Sequence, residues 1–208
     1  MFTINKHIAR VSVVLAVAAI TGCSSNPVYP PAPAREDASS WNYLLGPGDS
    51  VSVFVWRNPE VSGSFPIRPD GKMTMNLIED LQASGKTPTQ LARDIEKALS
   101  KYIQEPIATV IVGGGIGPFN QQIRVLGEAT EPKALGYREN MSLVDVMISV
   151  GGLTDFADGN KAYISRITED GKRVQLGVRL EDLLRGGDST ANAEIRPGDV
   201  LVIPESFF

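Results

Sequence analysis

Residues 46–56 read Gly-Pro-Gly-Asp-Ser-Val-Ser-Val-Phe-Val-Trp, which predicts a tight turn followed by a β-strand. Pro47 holds φ at about −65° at the first corner, Gly48 accepts the positive φ that a type II turn needs at the second, and Asp49 can accept hydrogen bonds from nearby backbone N–H groups. The β-branched and aromatic residues that follow are typical of a strand. The same turn recurs before the predicted strand 200–203, as Pro197, Gly198 and Asp199.

An alternative for these aspartates is a cation or sugar site at Asp49 or Asp199. Such a site needs at least a second carboxylate that converges on the same ligand. The residues next to each turn supply none. The sequence therefore favours a structural role for both side chains.

Residues 41–112 predict a small unit of strands and one helix. Residues 65–68 and 72–75 flank Pro69, Asp70 and Gly71, and an Asp-Gly pair between two such runs predicts a β-hairpin. Residues 107–112 form another β-rich run.

The helix of this unit is predicted to begin at Thr87, a capping residue followed by proline. One apolar stripe then runs along it at helical spacing: Leu91, Ile95, Ala98, Leu99 and Tyr102. We expect Tyr102 at the end of this stripe, and Trp56 on the strand, to lie in the core.

Residues 120–208 predict a second unit of strands and short helices. Residues 121–126 and 200–203 are predicted strands, and residues 162–168 and 172–177 flank a second Asp-Gly turn. Ser142 caps a helix that Gly151 and Gly152 end, and residues 180–184 predict a helical turn. The fold class is therefore α+β, in two units.

The segment 113–119 between the units is rich in glycine and invites comparison with phosphate-binding loops. A dinucleotide fingerprint would need glycine at Pro118 and a helix directly after it, and a P-loop would need Gly-Lys-Ser/Thr. Neither is present, so the segment is interpreted as a flexible hinge.

The N-terminus predicts export from the cytoplasm and lipidation. Residues 1–22 combine two basic residues with a ten-residue apolar stretch, which is too short to span a bilayer and typical of a signal peptide. Cys23 follows small residues, as in a bacterial lipobox, and is the predicted lipid anchor; the alternative is an unmodified cysteine. Residues 23–40 are rich in proline and predict a tether. The absence of aspartate at Ser24 favours sorting to the outer membrane.

Composition excludes several kinds of chemistry. The 208 residues include one Cys and one His, both within the first 23, so the mature chain has no residues for His- or Cys-dependent catalysis, zinc ligation or disulfides. We expect no metal and no cofactor. The predicted cleavage leaves 18 basic and 24 acidic residues, a net charge of −6, which argues against a nucleic-acid partner.

The chain resembles the outer-membrane polysaccharide export (auxiliary) lipoproteins. In the first unit the resemblance is carried by residues 43–49 (YLLGPGD), 58–62 (NPEVS), 68–72 (RPDGK) and 83–88 (ASGKTP). The second unit is similar to their SLBB β-grasp domain at residues 125–128 (VLGE), 142–146 (SLVDV), 151–154 (GGLT) and 195–200 (IRPGDV). Residues 202–208 are similar to the end of the short members found with exosortase systems.

The resemblance implies an export domain at 41–112 and an SLBB β-grasp domain at 120–208. It implies a homo-oligomeric ring that carries capsular polysaccharide or exopolysaccharide across the periplasm and outer membrane. It also implies an inner-membrane polysaccharide co-polymerase as partner. After the last predicted strand no run of about 20 apolar residues follows, so we expect no C-terminal pore helix.

Two other functions stay open at this point. A glycosidase would need two carboxylates about 5–10 Å apart, and Glu79 with Asp80 is the most suggestive pair, although adjacent strand residues point to opposite faces. A lipid-tethered adaptor that holds glycan without forming the conduit would use exposed aromatic residues, for which Trp41 and Tyr137 are the candidates.

Overall fold

The structure is a computed structural model that describes residues 29–33, 41–168 and 170–206. The predicted signal peptide at 1–22, Cys23 and most of the predicted tether lie outside the described residues. Two units follow one another along the chain, the first containing β1 to β5 and the second β6 to β10, and each has its own buried core, which confirms the α+β prediction. Within the described ranges, no helix combines the length and hydropathy needed to cross a bilayer.

The first unit contains a three-stranded antiparallel sheet, a two-stranded ribbon and one helix. The sheet has the order β2-β1-β5 and the ribbon joins β3 to β4. Its elements are β1 (Ser50–Val55), β2 (Gly63–Pro66), β3 (Lys72–Met75), β4 (Ile78–Gln82), α1 (Pro88–Leu99) and β5 (Ala108–Gly114).

Helix α1 begins where the sequence predicts and covers one face of the three-stranded sheet. The Thr87 hydroxyl accepts a hydrogen bond from the Gln90 N–H, and the Gln90 side chain accepts one from the Thr87 N–H. This reciprocal pair is a capping box, which satisfies two N–H groups at the start of the helix. The stripe is fully buried at Leu91, Ile95 and Leu99.

Two aromatic residues that the sequence placed in the core lie at the surface. Trp56 shares a strand face with Phe54, and their ring centroids are 6.4 Å apart, but this face points to solvent and Trp56 is 56% exposed. Tyr102 is 63% exposed, because α1 ends at Leu99 and the helical period no longer sets its direction. The inward positions of β1 are Val51, Val53 and Val55.

The Asp-Gly turn at 69–71 forms, and next to it the Arg68 N–H donates to the Lys72 carbonyl at 2.8 Å, but β2 and β3 belong to different sheets. The N–H of Gly71 donates to the Arg68 carbonyl at 2.8 Å, as in a tight turn. Strand β2 then pairs with β1, and β3 pairs with β4. The Pro-Gly-Asp turn holds the end of β2, since the Ile67 N–H donates to the Asp49 carbonyl at 2.8 Å. The predicted hairpin is therefore limited to its turn and the first backbone bond beside it, and β4 was not predicted.

The second unit is built on a five-stranded sheet of order β7-β6-β10-β8-β9. The first strand, β6, and the last, β10, are parallel neighbours at its centre, and all other pairs are antiparallel. This arrangement with a helix on one face is a β-grasp. Its elements are β6 (Ile123–Gly127), β7 (Ala134–Leu135), α2 (Leu143–Ser149), β8 (Tyr163–Ile167), β9 (Arg173–Gly177), α3 (Leu180–Leu184) and β10 (Val200–Ile203).

Helix α2 supplies the centre of the second core. The Asp145 carboxylate accepts hydrogen bonds from the Ser142 N–H at 2.9 Å and hydroxyl at 2.6 Å, which fastens the start of the helix. At its end Gly151 and Gly152 adopt φ of +77° and +87°, and the Gly152 N–H donates to the Met147 carbonyl at 2.9 Å. The predicted stripe is completely buried: Leu143, Val146, Met147 and Val150.

The glycine-rich connection is packed against both units. Its first two glycines continue β5, and a Cβ added at Gly115 would lie only 1.8 Å from Asp49 Oδ1. The Gly117 N–H donates to Asp49 Oδ1 at 3.3 Å, and the Gly117 carbonyl accepts from Nε2 of Gln122 at 3.0 Å. Glycine is needed here because backbone and side chain approach closely. The connection thus makes specific contacts with both units, and its flexibility as a hinge stays a prediction.

Candidate functional site

An open cleft of about 900 Å³ lies where the two units meet. One wall comes from Trp41 and Tyr43, which precede β1, and from Ile116 in the glycine-rich connection. The opposite wall comes from β7, the loop that follows it and α2, including Tyr137 and Ile148. Exposed apolar and aromatic side chains in a concave surface are typical of a binding site.

Trp41 lies between two tyrosines in this cleft. Its ring centroid is 5.0 Å from that of Tyr137 and 6.0 Å from that of Tyr43, and both contacts are edge-to-face, a favourable arrangement for aromatic pairs. The buried indole Nε1 of Trp41 has no hydrogen-bond partner among the described residues. The structure thus brings together Trp41 and Tyr137, the two residues that the sequence offered as glycan contacts.

The electrostatics of the cleft keep both tyrosines neutral. Burial raises the pKa of the Tyr43 phenol, and its hydrogen bond to Asp49 raises that pKa further. Burial also raises the pKa of the Tyr137 phenol, and the negative charge of Glu194 adds to the effect. The Tyr43 hydroxyl donates to Asp49 Oδ2 at 2.5 Å. The hydrogen bond to Asp49 in the Pro-Gly-Asp turn therefore holds the Tyr43 ring in its position in the cleft.

The two Pro-Gly-Asp turns have the same geometry. Gly48 and Gly198 both adopt φ of +88°. In each turn the carboxylate accepts the N–H of the residue three positions earlier, Gly46 for Asp49 and Arg196 for Asp199, both at 2.8 Å. The sequence argument that aspartate closes the turn by accepting a backbone N–H describes both sites.

Asp199 is also half of a buried ion pair. Arg166 donates from Nε and Nη2 to the two carboxylate oxygens at 2.9 and 2.7 Å, and the two side chains are 8% and 1% exposed. Among the described residues, no Lys or Arg forms an ion pair with Asp49, and its two oxygens accept from Tyr43, Gly46 and Gly117. The oxygens of both aspartates are therefore occupied by protein donors, and the alternative of a cation or sugar site there gains no support.

The turn at Pro69, Asp70 and Gly71 is held together by exposed charges. Arg68 forms ion pairs with Asp70 and with Asp80, the latter at 2.8 Å, and the Arg68 guanidinium lowers the pKa of the Asp70 carboxyl. Glu79 and Asp80 are both exposed on the ribbon strand β4. The part of the chain that the structure describes holds no group of three His, Cys, Asp or Glu side chains placed to bind a metal ion.

Comparison with known proteins identifies both units. Residues 37–113 match the family described as "Polysaccharide biosynthesis/export protein", and residues 122–177 match the SLBB domain. The chain therefore carries a region similar to the polysaccharide export family, followed by one similar to the SLBB domain. The matched SLBB region ends at β9, whereas the structure places β10 in the middle of the same sheet, so the folded unit extends beyond the matched region.

Curated relatives carry names from the same field. The chain is 27% identical over 177 residues to the exopolysaccharide production protein ExoF of Rhizobium meliloti, covering 78% of this chain and 40% of that one. It is 23% identical over 193 residues to the EPS I polysaccharide export outer membrane protein EpsA of Ralstonia nicotianae, covering 81% and 49%. It is 23% identical over 165 residues to the polysialic acid transport protein KpsD of Escherichia coli, covering 78% and 28%. The chain thus spans less than half the length of these relatives.

The sequence did not predict contacts between side chains that lie far apart along the chain. The buried contact of Arg166 with Asp199 follows from β8 and β10 being neighbours, and nothing in the local sequence shows that pairing. An arginine inside a predicted strand is itself a signal, since a buried arginine needs an acidic partner. The predicted lipid anchor Cys23 lies outside the described residues and stays a prediction.

Proposed function

We propose that this protein is a lipid-anchored periplasmic subunit of an oligomeric assembly that exports exopolysaccharide or capsular polysaccharide through the outer membrane. The observation that carries the proposal is the order of an export domain followed by an SLBB domain in one chain. The names of the relatives, which include an outer membrane export protein and a polysialic acid transport protein, support the same cargo class.

Acylation of Cys23 would hold the subunit at the outer membrane. Each buried CH₂ contributes about 0.8 kcal/mol to membrane binding, and stable anchoring takes more than one chain. A lipoprotein cysteine carries a diacylglycerol and an acylated amine, so it meets that requirement. The signal-like residues 1–22 before Cys23 supply the processing site that such a modification needs.

Transport of a hydrated polymer calls for a wide aqueous passage with weak contacts, since tight binding would stall movement. One chain of this size cannot enclose such a passage, so the proposal requires several copies in a closed ring. No chemical step is needed, which agrees with the transport names of the relatives. An inner-membrane polysaccharide co-polymerase is the partner that would deliver the cargo.

An apolar surface on the export domain supports contact between copies. Four large apolar side chains that are 51–60% exposed lie on the outward face of β1 and β5 or on the residue directly after β1 and directly before β5. They are named here the open sheet face: Phe54, Trp56, Ile107 and Ile111. Serine, threonine and glycine fill the other outward positions of these two strands, and none of these described positions is charged. Large exposed apolar patches mark interaction sites, and in a ring the occupant is the neighbouring copy.

Deletion and complementation test the proposal in cells. Loss of the gene should abolish surface polysaccharide while the polymer accumulates inside, and the native gene should restore export. A Cys23→Ala variant should leave the protein unprocessed and fail to restore export, whereas Ser24→Ala, which keeps the cysteine, should restore it. Normal export by cells that lack this gene and any second copy would contradict the proposal.

A second candidate function is favoured by the cleft between the domains. An adaptor that holds glycan without forming the conduit would use an aromatic site such as Trp41 with Tyr137. The chain has two tryptophans, so a Trp56→Phe variant reports on Trp41 alone by fluorescence. Oligosaccharides cut from the cell's own polymer should shift this emission, and Tyr137→Ala should weaken the response. One glycan per stable monomer would favour the adaptor over the ring.

A further inference from the structure

Gly117, in the connection between the two domains, has both of its backbone polar groups bound, one by each domain. Its N–H donates to Oδ1 of Asp49 in the export domain at 3.3 Å, and its carbonyl accepts from Nε2 of Gln122 in the SLBB domain at 3.0 Å. Asp49 and Gln122 are buried, with exposures of 0% and 8%. Because a buried polar group without a partner is costly, any change of the angle between the domains would have to break a bond that is expensive to lose.

The two Pro-Gly-Asp turns lie against the same stretch of backbone, one from each domain. Directly before the first turn, a Cβ added at Gly46 would lie 2.3 Å from the Gly117 carbonyl carbon and 2.3 Å from the Pro118 nitrogen. In the second turn, a Cβ added at Gly198 would lie 2.6 Å from the Asn120 carbonyl oxygen. Backbone approaches this close need glycine. The chain that joins the domains is therefore packed between their two turns.

Asp49 ties this packing to the cleft. Its Oδ2 accepts from the Gly46 N–H at 2.8 Å and from the Tyr43 hydroxyl at 2.5 Å, while its Oδ1 accepts from Gly117. A carboxylate can accept several hydrogen bonds at once, so one buried side chain joins the turn, the cleft wall and the connection. The residues that hold the connection are named here the clamp: Gly46, Asp49, Gly117, Gln122 and Gly198.

We propose that the clamp holds the two domains at one fixed angle, and that Asp49 is the positioning residue that gives every copy of the chain the same shape. A head-to-tail contact closes into a ring only if it repeats with one rotation, and otherwise gives an open assembly. The consequence for assembly rests on the proposed function, whereas the fixed angle is a property of the single chain. The connection then acts as a rigid joint.

Distances between two spin labels test the fixed angle. Acylation occupies the thiol of the only cysteine in the chain, so Lys97→Cys on α1 and Gln175→Cys on β9, both at exposed positions, can be labelled in the full-length lipidated protein. Dilution with unlabelled protein restricts the measurement to distances within one chain. We expect a single narrow distribution of distances. A broad distribution, or several distances, would overturn the inference.

Two glycines at the same turn position provide a matched pair of variants. Gly48 and Gly198 both adopt φ of +88°, so alanine strains the backbone similarly at both. A Cβ added at Gly48 meets open space, whereas one at Gly198 meets the Asn120 carbonyl. We expect Gly198→Ala to broaden the distribution of distances and to replace the one sedimenting species by several. Gly48→Ala should leave both results as in the unmodified protein.

Two further variants act on the hydrogen bonds of Gly117. Asp49→Asn keeps the size of the side chain and replaces one accepting oxygen by a group that donates. Gln122→Met keeps a similar length and removes the donor to the Gly117 carbonyl, so it carries the test if Asp49→Asn does not fold. Each folded variant, checked by urea denaturation, should show a broader distribution of distances. Unchanged distributions would overturn the inference.

Failure of this inference and failure of the proposed function give different results. Unmodified protein with a broad distribution of distances that still sediments as one multi-copy species contradicts the clamp alone. Protein with a narrow distribution that sediments as one chain at every concentration contradicts the proposed assembly, and with it the role of the clamp in ring closure. Folded Gly198→Ala protein that matches Gly48→Ala in both measurements would contradict the clamp.

Discussion

Asp49 and Asp199 show how one short motif serves two domains. In both turns the carboxylate accepts a backbone N–H three residues earlier, and the surroundings then differ: Asp49 contacts the glycine-rich connection, whereas Asp199 pairs with Arg166. The turn itself was predictable because its three residues are adjacent. The second partner was not, because it comes from a distant part of the chain.

Gly115 should be the more sensitive of two neighbouring glycines. Gly114 and Gly115 have nearly equal φ, +149° and +151°, so alanine strains the backbone similarly at both. A Cβ at Gly114 meets open space, whereas one at Gly115 meets Asp49. We expect Gly115→Ala to lower the free energy of unfolding by about 1–3 kcal/mol more than Gly114→Ala, measured by urea denaturation. Equal losses would contradict the packed connection.

Tyr43 should make the protein less stable at alkaline pH. Its phenol pKa is raised in the folded state, so the unfolded chain loses this proton first as the pH rises through about 10. The stabilisation is complete below pH 10 and is lost above it. Tyr43→Phe should start less stable and lose less stability between pH 9 and pH 11, with some loss remaining because the Tyr137 pKa is also raised. Parallel losses in the two proteins would contradict a role for the hydrogen bond between Tyr43 and Asp49.

Among the elements, helices were predicted better than strand partners. Helix α1 follows from Thr87, Pro88 and the stripe Leu91, Ile95 and Leu99, all within one local segment. The pairing of β2 with β1 follows instead from the contact of Ile67 with Asp49. Local sequence gave the turn at 69–71 correctly and gave its strands the wrong partners, because pairing is decided by contacts between segments that are far apart in the chain.

The capping box at the start of helix α1 should contribute measurably to the stability of the protein. Thr87→Ala removes the acceptor for the Gln90 N–H and should lower the free energy of unfolding by about 1 kcal/mol. Thr87→Ser keeps the hydroxyl and should cost much less. Thermal denaturation followed by circular dichroism measures both. A Thr87→Ser loss as large as that of Thr87→Ala would show that the methyl group, and not the cap, matters.

For the whole molecule, the two-domain plan was readable from sequence and the surfaces were not. Alternation along β1 predicts that Phe54 and Trp56 share a face, but it cannot tell which face α1 covers. The cleft that joins Trp41 to Tyr137 likewise depends on how the domains meet. Periodicity describes one element at a time, whereas exposure is a property of the assembled chain.

Substitutions on the open sheet face should weaken the assembly of copies but leave the stability of the single chain nearly unchanged. Trp56 is exposed on that face, so Trp56→Ser should change the stability of one chain by less than about 1 kcal/mol. If a neighbouring copy covers it, the same change should weaken assembly about 30-fold or more, since buried interface aromatics contribute about 2 kcal/mol or more. Tyr102→Ser is the control, because Tyr102 is 63% exposed, against 56% for Trp56, but follows α1 and is not part of the open sheet face. If the unmodified protein, Trp56→Ser and Tyr102→Ser all assembled equally well, an interface at the open sheet face would be contradicted.

The central claim is that many copies of the acylated subunit form one closed assembly. Sedimentation velocity of the lipidated protein, extracted from membranes in mild detergent and studied at micromolar concentration, tests it most directly. The account predicts one discrete species whose protein mass is a fixed multiple of a single chain. A species with the protein mass of one chain at every concentration would contradict it.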